Sequence, residues 1–207
     1  MVINQYTYSK MLIKEHNFLV PLDYDNEEDK KISIFVREIV DEEYGNKGLP
    51  YLIFFQGGPG YESPRPITNS GWIKKASQKY RILLLDQRGT GLSTPISQES
   101  LSGMDDEGIA KYLTFFRADN IARDAERIRD NLIKDGKWSV LGQSFGGFCA
   151  THYLSFYPNS LDQVFITGGL PPLKAHPDDI YRATYKRVIE KNKLLYKNFP
   201  HAKKNAR

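Results

Sequence analysis

The chain has 207 residues, 40% of them apolar and 26% charged, with 13 Tyr and 11 Phe, enough to bury one substantial α/β core. Sixteen Gly, 11 Pro and a single Cys exclude collagen-like, disordered and disulfide-stapled classes. The net charge of +4 is unevenly placed: Lys174 to Arg207 carry ten Lys and Arg against three Asp and Glu, whereas the preceding residues carry nineteen against twenty-two, a net −3.

The first twenty residues lack the continuous apolar run of a secretory signal. His16 to Leu22 and Lys31 to Val40 then read as strands, separated by the acidic turn Asp23 to Asp29. In the second, Ile32, Ile34 and Val36 alternate with Ser33, Phe35 and Arg37, as in a half-buried strand. Tyr51 to Phe55, Arg81 to Leu85, Trp138 to Leu141 and Gln163 to Thr167 are short apolar runs of the kind buried on both faces. Each of the four ends in a Gly-containing loop. None approaches the ~18 apolar residues of a membrane span.

Helical patterns fill the gaps. Asn120 to Lys134 places Ile121, Ala125, Ile128 and Leu132 on one face, sets Arg123, Asp124, Glu126, Arg127, Arg129 and Asp130 on the other, and stops at Gly136. Ser144 to Tyr157 carries a stripe of Phe145, Phe148, Cys149 and Tyr153 before Pro158. Alternating strands and helices predict an α/β fold with parallel strands joined by right-handed crossovers. Gly168 to Leu173 reads as a Gly/Pro hinge, followed by a long helix, Asp178 to Asn198, that begins a second unit and buries a thin stripe. The positive charge lies on this helix, and without a recognition motif it predicts a solvated face and no nucleic-acid partner.

Three motifs carry chemistry. Gly142-Gln143-Ser144-Phe145-Gly146 lies between a strand and a helix. A Ser on so sharp a turn takes a strained backbone, and the positions two before and two after it must be small. This composition yields the pattern only about 0.08 times by chance; the alternative is a turn whose Ser merely caps the helix. Gln56-Gly57-Gly58-Pro59-Gly60 follows the run YLIFF. In acyl transfer the developing oxyanion needs two backbone N–H donors, one after the nucleophile and one from such a loop. Asp86-Gln87-Arg88-Gly89-Thr90-Gly91-Leu92-Ser93 has no direct chemistry, and Arg88 fits a scaffold that ties loops through bidentate pairing better than a substrate contact.

Together, and in this order, these motifs resemble the proline iminopeptidase (prolyl aminopeptidase) family of α/β-hydrolases. Gly-Gln-Ser-Phe-Gly-Gly-Phe-Cys-Ala followed by Tyr-Leu-Ser-Phe-Tyr-Pro is similar to its longer, fungal-type branch. The loop departs from the family at Gln56, where many members have His, and at Tyr61 and Glu62, where many have a Gly run. The resemblance implies the N-terminal part of a mostly parallel sheet, residues 1–173, with a helical cap beginning over residues 174–207. It implies Ser144 as nucleophile, the N–H groups of Gly58 and Phe145 as the oxyanion hole, and Gly57, Gly142, Gly146, Asp86 and Arg88 as motif support. The implied substrate is a peptide with N-terminal proline.

The fold's chain order is Ser, then acid, then His, and the resemblance places the last two after the cap, beyond this chain. His152 is eight residues past Ser144 on one helix, ~12 Å along its axis. His16 belongs to an early strand and His201 to the tail, leaving His176 as the one candidate on the correct sheet edge, where a solvated loop histidine is the plainer reading. Little or no turnover is therefore expected of this chain, and its sheet is expected to end at a sixth strand with an exposed edge. An esterase of the same fold and a non-catalytic remnant stay open as alternatives. No HExxH, Cys cluster or dinucleotide-binding Gly pattern is present, so no metal or cofactor is expected. With one Cys and no signal, a cytoplasmic location is expected.

Overall fold

The computed structural model describes residues 2–170 and 174–202. It divides into two compact units, Met1–Leu170 and Pro171–Arg207. The boundary expected at Leu173 falls on residues 171–173, which lie outside the described residues.

The first unit is built on one sheet of β1 (Val2–Tyr8), β2 (Met11–Pro21), β3 (Lys31–Asp41), β4 (Tyr51–Phe55), β5 (Arg81–Leu85), β6 (Trp138–Gln143) and β7 (Leu161–Thr167), in the order β1-β2-β3-β5-β4-β6-β7. Among the described residues the sheet therefore has seven strands, one more than the sequence suggested. The added strand, β1, pairs antiparallel with β2 along the sheet's far edge. All its residues are exposed, so no apolar alternation marks it. The β1–β2, β2–β3 and β3–β5 pairs are antiparallel, and β5–β4, β4–β6 and β6–β7 are parallel.

The sheet's period of two sorts the apolar residues onto two cores. On one face Ile32, Ile34 and Val36 of β3, Ile53 and Phe55 of β4, Leu83 and Leu85 of β5, and Trp138 and Val140 of β6 form a single cluster. Helix α4 (Ala118–Ile133) covers it with Ile121, Ala122, Ala125 and Ile128, and α5 (Phe145–Phe156) with Cys149, Ala150 and Tyr153. On the other face Met11, Ile13, Ile39, Phe54, Ile82 and Leu84 pack with Ile73 of the short helix α1 (Gly71–Ala76). This second core corrects the half-buried reading of β3: Phe35 and Arg37 are buried as well, because the strand is interior to a sheet packed on both sides.

Two short helices, α2 (Gln98–Leu101) and α3 (Asp106–Thr114), lead into α4. The polar side of α4 also needs correction. Asp124 and Arg129 are buried, not solvated. Arg129 donates to the carbonyls of Lys134 and Gly136, satisfying acceptors that the helix end leaves open. Among the described residues of the second unit, α6 (Pro177–Asn198) has Pro at its first position and none of its residues buried. The thin buried stripe expected there is absent: Ile180, Val188 and Leu195 are 44–47% exposed. A stripe shows which side a helix offers, while burial requires a packed partner.

Candidate active site

Ser144 sits between the last residue of β6 and the first of α5 with φ 52° and ψ −117°, a conformation costing a non-glycine residue roughly 1–3 kcal/mol. Its neighbours hold it there. The Ser144 N–H donates to the Thr167 carbonyl at 2.9 Å, and the Ser144 carbonyl accepts from Gly147 N–H at 2.8 Å. Two glycines make the turn possible. A Cβ on Gly142 would collide with the Gly146 backbone and lie 2.9 Å from the Ala150 Cβ; one on Gly146 would overlap the Phe55 carbonyl. The elbow is thus wedged between β4 and its own helix with no room for a methyl group.

Ser144 itself is exposed. Among the described residues its hydroxyl makes no hydrogen bond, so the oxygen stands unengaged at the C-terminal end of the parallel strands. The adjacent Phe145 N–H is one of the donors that the first turn of α5 leaves without an intrahelical acceptor. Gly57 comes against Ser144 from the loop after β4: a Cβ built there would be 3.1 Å from the Ser144 Cβ and 3.8 Å from its Oγ. Gly58 follows with φ 128°, in the region that favours glycine, and the Tyr61 ring lies beside it.

The third motif fastens this loop. The Gln87 Nε2 donates to the Gln56 carbonyl at 2.9 Å, immediately before Gly57. Asp86 accepts from the N–H groups of Ser63 and Leu92, each at 2.9 Å. Burial pushes the Asp86 carboxyl above its ordinary range despite these donors. Arg88 lies deeper. It donates through Nε and Nη2 to the two Asp124 oxygens at 2.7 and 2.6 Å, and to the carbonyls of Pro21, Leu22 and Phe115. All five guanidinium donors are thereby used. Burial alone would lower the Arg88 pKa, but the Asp124 carboxylate outweighs it and raises it. Arg88 makes no contact with Ser144.

Sequence reasoning missed Gly169. A Cβ there would collide with the Ser144 carbonyl and lie 2.8 Å from the Gly147 Cα. The Gly168-Gly169 pair ending β7 was its only signal, and it reads as a hinge until β7 is seen to lie under the elbow.

Neither histidine of the first unit meets Ser144. His16 is buried on β2, its Nε2 2.9 Å from Glu38 Oε2. Four strand-to-strand steps separate β2 from β6, about 19 Å. His152 stacks on Phe156, with ring centroids 4.3 Å apart on α5. In the second unit the exposed His176 caps α6 through the Asp178 N–H, and His201 is exposed beyond its end. Among the described residues no cluster of three or more His, Cys, Asp and Glu is placed to hold a metal ion, and no helix is long and apolar enough to cross a membrane.

Comparison with known proteins agrees with this architecture. Residues 50–203 match the family described as the alpha/beta hydrolase fold. A proline iminopeptidase of Aeromonas sobria is 51% identical over 188 residues, covering 90% of this chain and 44% of that protein. A proline iminopeptidase of Aspergillus aculeatus is 38% identical over 203 residues, covering 92% of this chain and again 44% of its own. The chain thus spans somewhat under half the length of these relatives. Among solved structures, the 2-hydroxy-6-oxo-6-phenylhexa-2,4-dienoate hydrolase of Rhodococcus sp. strain RHA1 superposes with a TM-score of 0.50 at 17% identity, over 82% of this chain and 52% of that one. A likeness at that identity bears on the fold alone. With a sharp strand–Ser144–helix turn at the end of β6 and a family match over three quarters of its length, the chain belongs to the α/β-hydrolase fold family.

Proposed function

We propose that this chain carries the nucleophile and oxyanion hole of a serine peptidase that releases N-terminal proline from peptides. The observation that carries the reading is the backbone of Ser144: a strained, exposed serine between strand and helix, with the Gly57 backbone against it. The similarity to proline iminopeptidases over nine tenths of the chain supplies the substrate class.

In this mechanism Ser144 Oγ attacks the carbonyl carbon of the N-terminal prolyl residue while a histidine base takes the hydroxyl proton. The carbonyl oxygen becomes an oxyanion held by the N–H groups of Phe145 and Gly58, each such donor being worth roughly 2.7–4 kcal/mol. Collapse breaks the C–N bond; the leaving amine takes the proton from the histidine, and a prolyl ester remains on Ser144. The same histidine then deprotonates a water, which attacks the ester. Free proline departs and Ser144 Oγ regains its proton. Gly142 and Gly146 admit the turn, and Gly57, Asp86 and Arg88 hold the loops about it.

The base and its orienting acid come, in this reading, from outside these 207 residues: His16 is buried against Glu38, His152 stacks on Phe156, His176 caps α6 and His201 is exposed beyond that helix. The chain alone is expected to leave a proline amide with a fluorescent leaving group at no more than about 10³–10⁴-fold over water. A longer form, extended to its relatives' length, should turn it over, and Ser144→Ala should abolish that turnover. Robust Ser144-dependent turnover by the 207 residues would overturn the missing base. A longer form that cleaves esters or leucine amides while sparing proline amides would overturn the substrate class.

A further inference from the structure

A recess whose lining does not include Ser144 opens over the antiparallel end of the sheet. Its volume is about 440 Å³, within the range of small-molecule sites. Its floor comes from β2 and β3, one wall from Tyr6 and Tyr8 of β1, and the other from Pro66, Ile67 and Leu92. Those last three belong to the segments that Asp86 ties together through Ser63 and Leu92. Four of the large apolar side chains the molecule exposes meet here: Tyr6 at 38%, Tyr8 at 52%, Leu92 at 54% and Ile67 at 72%. Apolar groups scattered singly need no explanation, whereas four converging on one recess mark a binding surface.

The recess is also charged in a particular way. Arg37, in its floor, is 94% buried by its 6% exposure. Its guanidinium lies 5.0 Å from the Phe35 ring centroid. Among the described residues it makes one hydrogen bond, a long 3.4 Å contact from Nη2 to Glu15 Oε1. Arg88, more deeply buried still, uses all five donors; Arg37 uses one. Glu15 is shared: its two oxygens also accept from Tyr6 Oη at 3.2 Å and Asn4 Nδ2 at 3.3 Å. On the rim Arg65 has no ion-pair partner among the described residues. Two arginines and one carboxylate, Glu15, thus line the recess, and the Asp86 carboxylate, outside the lining, also acts on Arg37 electrostatically. A fork of unused N–H donors at the bottom of an apolar slot matches a carboxylate on an apolar body.

We propose that this recess binds a small carboxylic acid with an aliphatic or aromatic body, its carboxylate on Arg37 and Arg65 and its body between the β1 tyrosines and Ile67–Leu92. The free end of a short apolar peptide and a simple fatty or aromatic acid share this chemistry. The proposal does not depend on the reaction assigned to Ser144.

The test is calorimetric titration of the chain with N-acetyl-leucine, leucyl-leucine and hexanoate, with N-acetyl-leucine amide as the uncharged control. N-acetyl-leucine should bind, and the amide should bind at least about ten-fold more weakly because Arg37 then loses its charged acceptor. Hexanoate binding as tightly as leucyl-leucine would assign the recess to simple acids; a preference for the dipeptide would assign it to peptide ends. Arg37→Gln should abolish binding. Because Arg37 is buried and that variant can fail to fold, the exposed substitution Ile67→Asp is the second arm. It places a carboxylate at the rim and should weaken N-acetyl-leucine at least about ten-fold with an unchanged melting midpoint. Equal affinity for acid and amide, unchanged affinity in folded Ile67→Asp, or no binding of any acid at millimolar concentration would each overturn the proposal.

Discussion

Asp124 shows how much a single buried carboxylate carries. It is 1% exposed and receives Arg88 through two bonds and the Tyr24 hydroxyl at 2.8 Å. Through Arg88 it reaches the end of β2 and the carbonyl before α4, so three segments remote in sequence converge on one ion pair. Asp124→Ala leaves the guanidinium buried and unpaired, and should destabilise the fold by about 3–5 kcal/mol. Chemical denaturation of the single variants and of the Arg88→Met/Asp124→Leu double variant checks this. The double variant should be more stable than Asp124→Ala, because it removes both charges together. The importance of Asp124 was illegible in the sequence, where it reads as one more charge on the polar side of a helix. Arg88, within a dense Gly-containing motif, was legible as a scaffold candidate; its acceptor, 36 residues away, was not. Ser144 was the opposite case, because its chemistry and its backbone demand are written within five consecutive residues.

Among elements, β4 and β5 begin and end where their apolar runs do, because a strand buried on both faces is apolar at successive positions and stops where the run stops. β1 could not be found that way. What fixes it is hairpin pairing to β2 across the two-residue turn Ser9-Lys10, whose positive φ values of 51° and 61° no Gly or Asn announces. A polar tie strengthens that antiparallel end: Glu38 on β3 accepts from Arg81 on β5 at 2.6 Å and meets His16 on β2 at 2.9 Å. Burial would raise the Glu38 pKa, but the hydrogen bonds from His16 and Arg81 outweigh it and hold the carboxyl below the ordinary glutamate range. The sign follows. The unfolded chain binds this proton more readily, so the stabilisation is fully present above the ordinary range and is lost as pH falls through the lowered value. Glu38→Gln removes that dependence. Urea midpoints taken from neutral pH down to about pH 3 should fall less steeply for Glu38→Gln than for the unaltered chain. Parallel curves would show that Glu38 does not couple the three strands to pH.

At the scale of the whole molecule, support is graded across the sheet. β4 and β5 each have a strand on both sides and a packed core on both faces; among the described residues β7 has one partner, β6, and most of its side chains are at least partly exposed. Stability in such an architecture falls from centre to edge, and an edge strand opens well below the global unfolding free energy. Amide hydrogen exchange should therefore show Ile53 and Leu84 protected to the global limit and β7 exchanging sooner. The Ser144 amide is the informative probe, because its acceptor is the carbonyl of Thr167 at the end of β7. It should exchange with β7 and not with β6, the strand to which it is covalently joined. Gly169 bears on the same carbonyl-to-helix junction from the same side. The serine's unusual backbone is thus propped by a strand that, among the described residues, is itself paired on one side only. Each transient opening of that edge releases the turn, so the fraction of time Ser144 spends in its strained conformation is set by how firmly β7 is held.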